Sequence, residues 1–143
     1  MWAGLAAARV GGVLNDIGTA VEASIRSTPN GRTYGIVQEY VGHGIGSKMH
    51  MEPNVPNYAV RGKTPDLVEG MALAIEPMVC AGSPANHTLD DDWTVVTNDG
   101  GRACHWEHTV ALTAAGPWVL TALDGGAARF QAMGVASPAS VRA

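Results

Sequence analysis

Two glutamates stand where a folding chain can least easily place them. Glu76 lies inside the apolar run "LAIEPMV" and Glu107 inside "CHWEHTV". Both runs have the apolar, β-branched content of strands. A carboxylate in such a run is expensive to bury unless it is paired or binds a cation. Alternation along a strand gives each an escape, because every second side chain can point to water. One such glutamate is unremarkable, whereas two raise the question of what they share.

A third segment bears on that question. The stretch "YVGHGIGSKMHMEP", residues 40 to 53, holds His43 and His50 with Gly42, Gly44 and Gly46 around the first. Glycines crowd a segment where backbone approaches something closely or turns sharply. Histidines gather where a metal or a proton is handled. A loop with two satisfied histidines is the plain alternative. Taken with Glu76 and Glu107, His43 completes a candidate site of imidazole and carboxylate donors, a set that suits Mn, Fe, Co or Zn. His87 falls in a loop, and strand alternation sends His108 to the face opposite Glu107, so both are left out. His105 is also left out, although it can share the face of Glu107.

The rest of the chain bounds the fold. An alanine-rich stretch at residues 3 to 9 is helix-prone. Asn15 is a candidate N-cap for a second helix, with Asp16 at its start and Ile17, Val21, Ser24 and Ile25 as its buried stripe. Strand-like runs follow at "YGIVQEYV", "MALAIEPMVCAG" and "DDDWTVVTNDGG". A hairpin is expected with strands at 106–113 and 118–121, and residues 52–65 read as an extended loop. Helices followed by strands predict an α+β fold, an antiparallel sheet with helices on one face. Residues 124–143 are small, polar and poor in core formers, and read as a mobile tail behind a unit at 1–123.

Several function classes are excluded by composition. The formal charge of -4, without a basic block, leaves no nucleic-acid footprint. No apolar run reaches the length of a membrane span, and the start lacks the basic region of a signal peptide. Cys80 and Cys104 are isolated, which reads as reduced and structural in a cytoplasmic protein.

The order "GHGIG", "HMEP", "AIEPM", "WEHTV" closely resembles the methionine aminopeptidases, of the simpler bacterial type, within the pita-bread metallopeptidases. The similarity runs from about Trp2 to Leu123 and includes "DDDWTVVTNDGGRA". It implies a curved antiparallel sheet with helices on one face, and removal of initiator methionine from nascent proteins. It implies metal ligation by His43, Glu76 and Glu107, the last bridging two ions. Catalytic roles fall on Glu76, as proton shuttle, and on His50, beside the scissile amide. Tyr40, Met49 and Trp93 match positions around the methionine side chain, with Met49 where an aromatic is common.

The family's two-ion site (Co, Mn, Fe or Zn) also needs two aspartates and a histidine upstream of "GHGIG". Asp16 is the only aspartate before His43. The chain therefore reads as the C-terminal half of such an enzyme, holding at most one ion, with a separate N-terminal half as its implied partner and uncertain activity alone. Three other readings compete: a non-catalytic remnant that binds peptides, a mononuclear iron site using His43, His50 and one glutamate, and a prolidase-like X-Pro peptidase.

Overall fold

The computed structural model describes residues 1–29 and 31–141. Two helices open the chain, α1 (Trp2–Ala7) and α2 (Leu14–Arg26). In α2 the buried residues Leu14, Ile17, Gly18 and Val21 recur at helical spacing and make one apolar stripe. The Asp16 carboxylate accepts a hydrogen bond from the Val13 N–H at 2.9 Å, so it closes the helix start and complements the dipole there. Asn15 does not cap. The helix begins one residue before it, and its side chain instead clamps the Val60 backbone, donating to the carbonyl at 3.0 Å and accepting from the N–H at 2.8 Å. That partner lies 45 residues away, out of reach of local sequence reasoning.

Among the described residues ten short strands follow: β1 (Gly35–Ile36), β2 (Gly42–Gly44), β3 (Met51–Val55), β4 (Ala72–Ile75), β5 (Met78–Cys80), β6 (Asn86–Thr88), β7 (Val95–Thr97), β8 (Ala103–His105), β9 (His108–Thr113) and β10 (Gly116–Val119). All named pairings are antiparallel. The main sheet has the order β10-β9-β4-β2-β3, a second sheet the order β1-β5-β8, and β6 and β7 form a separate hairpin. The first part of the expected loop at 52–65 is thus strand β3, which takes an edge position. Pro53 is tolerated there because an edge strand need not donate on its outer side. The expected hairpin forms as well, but its first strand starts at His108 rather than at 106, because the chain breaks out of the ladder at Trp106 and Glu107, and its second strand is Gly116–Val119 rather than 118–121.

One face of the main sheet packs on the helices. Leu73, Ile75, Val110, Leu112 and Val119 from the strands meet Leu5, Leu14, Ile17 and Val21 in one buried cluster. Phe130 and Val135 belong to the same cluster. The described part of the segment expected as a mobile tail is therefore folded. Asp124 accepts hydrogen bonds from the Gly126 and Ala128 N–H groups at 2.9 and 3.0 Å, ordering the turn into α3 (Ala127–Ala132). The helix delivers the chain's single phenylalanine to the core, with its ring edge-on to Trp2 at 5.8 Å. A 3-10 turn at Pro138–Val141 follows, and residues 142 and 143 lie outside the described residues. None of the helices described is long and apolar enough to cross a membrane.

Candidate metal centre

The other face of the main sheet carries the site, and strand register explains how. Strand β4 lies between β2 and β9. His43 of β2 pairs with Ala74 of β4. Glu76, two residues beyond Ala74, shares its face and so lies diagonal to His43. On the other side Ile75 pairs with His108, and beyond the interruption Met78 pairs with His105. The same register carried across the break sets Glu76 opposite Glu107. Pro77 lacks an N–H and ends β4 there, while its carbonyl accepts from the Trp106 N–H at 3.4 Å.

The glycines around His43 make this register fit. A Cβ on Gly42 would strike the Ala74 carbonyl oxygen of β4, and one on Gly44 would strike the Glu52 carbonyl oxygen of β3. Only a residue without a side chain lets β2 lie this close to both neighbours. The pairing with β3 also slips between His43 and Gly44, an irregularity of the kind that re-aims a side chain next to a site. Gly44→Ala is expected to cost about 1–3 kcal/mol from overpacking. Gly46→Ala, whose Cβ would meet only the flexible Met51 sulfur at 3.4 Å, is expected to be nearly neutral. Urea titration of the two variants checks the difference.

Ligand-capable atoms of His43, Glu76 and Glu107 lie within 4.8 Å of one another. His43 and Glu76 are buried and Glu107 is exposed. The His43 Nδ1 sits 2.9 Å from the Gly44 carbonyl oxygen. A carbonyl can only accept, so Nδ1 carries the proton and Nε2 presents a lone pair. That lone pair faces Glu76 Oε1 at 3.4 Å. An acceptor facing an acceptor, beside two carboxylates drawn together, is unfavourable until a cation or a proton enters. Burial, and next the charge of Glu107, push the Glu76 carboxyl above its ordinary range, with His105 and His43 offsetting this in part. One imidazole nitrogen and two carboxylates are a fitting donor set for a borderline divalent ion.

His50 stands beside the group rather than in it. Its ring is T-shaped to that of His43 at 4.4 Å, and it is exposed. The group therefore draws one histidine, not two, from the described residues. Tyr40 lines a groove of about 320 Å³ with Val37, Met78, Cys80 and Cys104. Met49 and Trp93 are 69% and 87% exposed and are not among its lining residues. His87 bonds the Asn98 side chain at 2.6 Å. His108 bonds Thr121 at 2.7 Å and packs against Trp2, toward the helices.

Two further residues touch the site. His105 Nε2 lies 3.2 Å from Glu76 Oε2. Its signal in the sequence was the two-residue spacing to Glu107 on one strand face. Asn57, fully buried, donates to the Glu76 carbonyl at 3.4 Å. Nothing in the proline-rich stretch around it marks that role.

Residues 1–114 match the metallopeptidase family M24. The chain is 51% identical over 121 residues to methionine aminopeptidase 1 of Mycobacterium tuberculosis, covering 83% of this chain and 46% of that protein. It is 44% identical over 121 residues to methionine aminopeptidase 1 of Bacillus subtilis, covering 85% and 47%. The solved methionine aminopeptidase of Thermotoga maritima superposes with a TM-score of 0.72 at 38% identity, over 79% of this chain and 44% of that one. X-Pro aminopeptidase of Thermotoga maritima, at 21% identity and a TM-score of 0.56, shares the fold. The chain spans about half the length of the curated relatives it matches.

Proposed function

The chain belongs to the metallopeptidase family M24, and on that premise we propose that His43, Glu76 and Glu107 hold a divalent ion in a site that removes N-terminal methionine from nascent proteins. Its architecture is part of the pita-bread fold. The observation that carries the proposal is the buried His43 Nε2, its lone pair aimed at the buried Glu76 carboxylate, with Glu107 in the same small group. When bound, the ion supplies Lewis acidity toward a peptide carbonyl and acidifies water.

The chain's own residues supply the remainder. Glu76 takes up a proton and passes it to the leaving amine. His50, exposed beside His43, is reachable by a peptide and donates a hydrogen bond to the oxygen on which charge develops. The groove that includes Tyr40, Val37 and Met78 receives the methionine side chain, with Met49 and Trp93 as outer contacts. This reading places the catalytic residues within 1–123 and their work in the cytoplasm. Among the described residues the group offers ligands for one ion; a second ion would need carboxylates beyond this group.

The test is methionine release from a Met-Gly-Met peptide with added Co or Mn. The 143 residues alone are expected to turn over poorly. Mixing them with the N-terminal half of the Bacillus subtilis relative is expected to raise release, and Glu76→Ala or His50→Ala to abolish it. Absence of release in the mixture, or release that survives Glu76→Ala, contradicts the proposal. Cleavage of X-Pro dipeptides instead would favour the prolidase-like reading.

A further inference from the structure

The Glu76 carboxylate is held from two sides. Oε1 faces His43 Nε2 at 3.4 Å, and Oε2 faces His105 Nε2 at 3.2 Å. A carboxylate oxygen only accepts, so His105 Nε2 must be the protonated nitrogen in that contact. A nitrogen that donates has no lone pair for a cation, and His105 is not in the group whose ligand atoms converge. Its place is set by the backbone. His105 pairs with Met78 in the β5–β8 ladder, and its side chain lines the groove with Tyr40 and Cys104. The ring is half exposed, so its imidazole is not needed to fill the core.

We infer that His105 is a positioning residue for the cation site, locking the rotation of the Glu76 carboxyl by an Nε2–H hydrogen bond to Oε2 and so turning Oε1 toward the cation. The terminal torsion of a glutamate is otherwise broad and nearly two-fold. A ligand left free to turn must be ordered when the cation binds, which weakens binding. Groups that orient ligands in this way typically change metal affinity by about 10–100-fold when removed. The inference rests on the reading of His43, Glu76 and Glu107 as ligands.

The experiment is calorimetric titration of Mn2+ into the full 143-residue chain and three variants, with cation-free thermal unfolding recorded for each. His105→Ala is expected to weaken Mn2+ by about 10–100-fold with little change in the cation-free melting temperature. His105→Gln, whose amide N–H can reach the same oxygen, is expected to restore most of the affinity. An unchanged affinity in His105→Ala, with binding lost in Glu76→Gln, overturns the inference and leaves the site reading intact. A glutamine variant as weak as the alanine one overturns it by showing that the imidazole itself is required. Binding that survives Glu76→Gln overturns the site reading on which the inference rests.

Discussion

Replacing Glu76 by glutamine is expected to weaken divalent-ion binding by more than about 100-fold, beyond the effect of losing an orienting neighbour, while making the cation-free chain more stable at neutral pH. The two effects have one cause. Burial and the nearby Glu107 charge raise the folded-state proton affinity of Glu76 above that of an ordinary carboxyl. The folded chain therefore holds a proton that the unfolded chain releases. Wherever the folded state binds more protons, stability falls as pH rises. The loss begins in the ordinary carboxylate range and is complete once pH has passed the raised folded value. Glutamine carries no charge to desolvate, so its stability curve should lack this fall. Its amide can also donate to the His43 lone pair and accept from His105, preserving the geometry. A bound ion should remove the same fall in the native chain, by neutralising the carboxylates and by mass action. Urea titrations between about pH 5 and 8, paired with Mn2+ calorimetry, read both effects. A variant that keeps its affinity, or that is less stable at pH 7 than the cation-free native chain, would count against the argument.

Phe130→Ala is expected to cost about 3–5 kcal/mol, the range for removing a buried phenylalanine. Phe130 is fully buried, its ring is edge-on to Trp2, and it shares the core with Ile17, Leu73 and Val119. Domains are stable by only about 5–15 kcal/mol, so the variant should lose a large part of its stability and much of its urea midpoint. Trp93→Ala removes a larger ring that is 87% exposed, and should lie within about 0.5 kcal/mol of the native chain. A Phe130→Ala chain as stable as the native one would mean that α3 does not dock, and that residues 124–141 are a tail after all.

What the sequence showed and what it hid divide along the range of the interactions. Glu76 and Glu107 were conspicuous as charges inside apolar runs, although only Glu76 is buried and Glu107 reaches the surface. The glycines around His43 announced a close approach, and the structure supplies the carbonyls of Ala74 and Glu52 that require it. The α2 stripe was legible at Ile17 and Val21 because its period is local, but Ser24, expected in it, is exposed. The role of Asn15 was not, since its partner Val60 is remote in sequence and the cap-like composition pointed elsewhere. β3 was hidden by its prolines, which an edge position tolerates. The folding of residues 124–141 was hidden by composition, because one phenylalanine among small residues is enough to anchor a short helix. His105 was set aside because spacing alone cannot tell a ring that touches a ligand from one that faces water. Deciding that required the register of β8 against β5.

The most direct measurement is anomalous diffraction from crystals of the 143-residue chain equilibrated with Mn2+. One anomalous peak is expected, at coordination distance from His43 Nε2 and from carboxylate oxygens of Glu76 and Glu107, with His50 beside it and unbound. A peak whose ligands exclude His43 or either glutamate, or crystals that show no ordered ion in this group at saturating Mn2+, would contradict it.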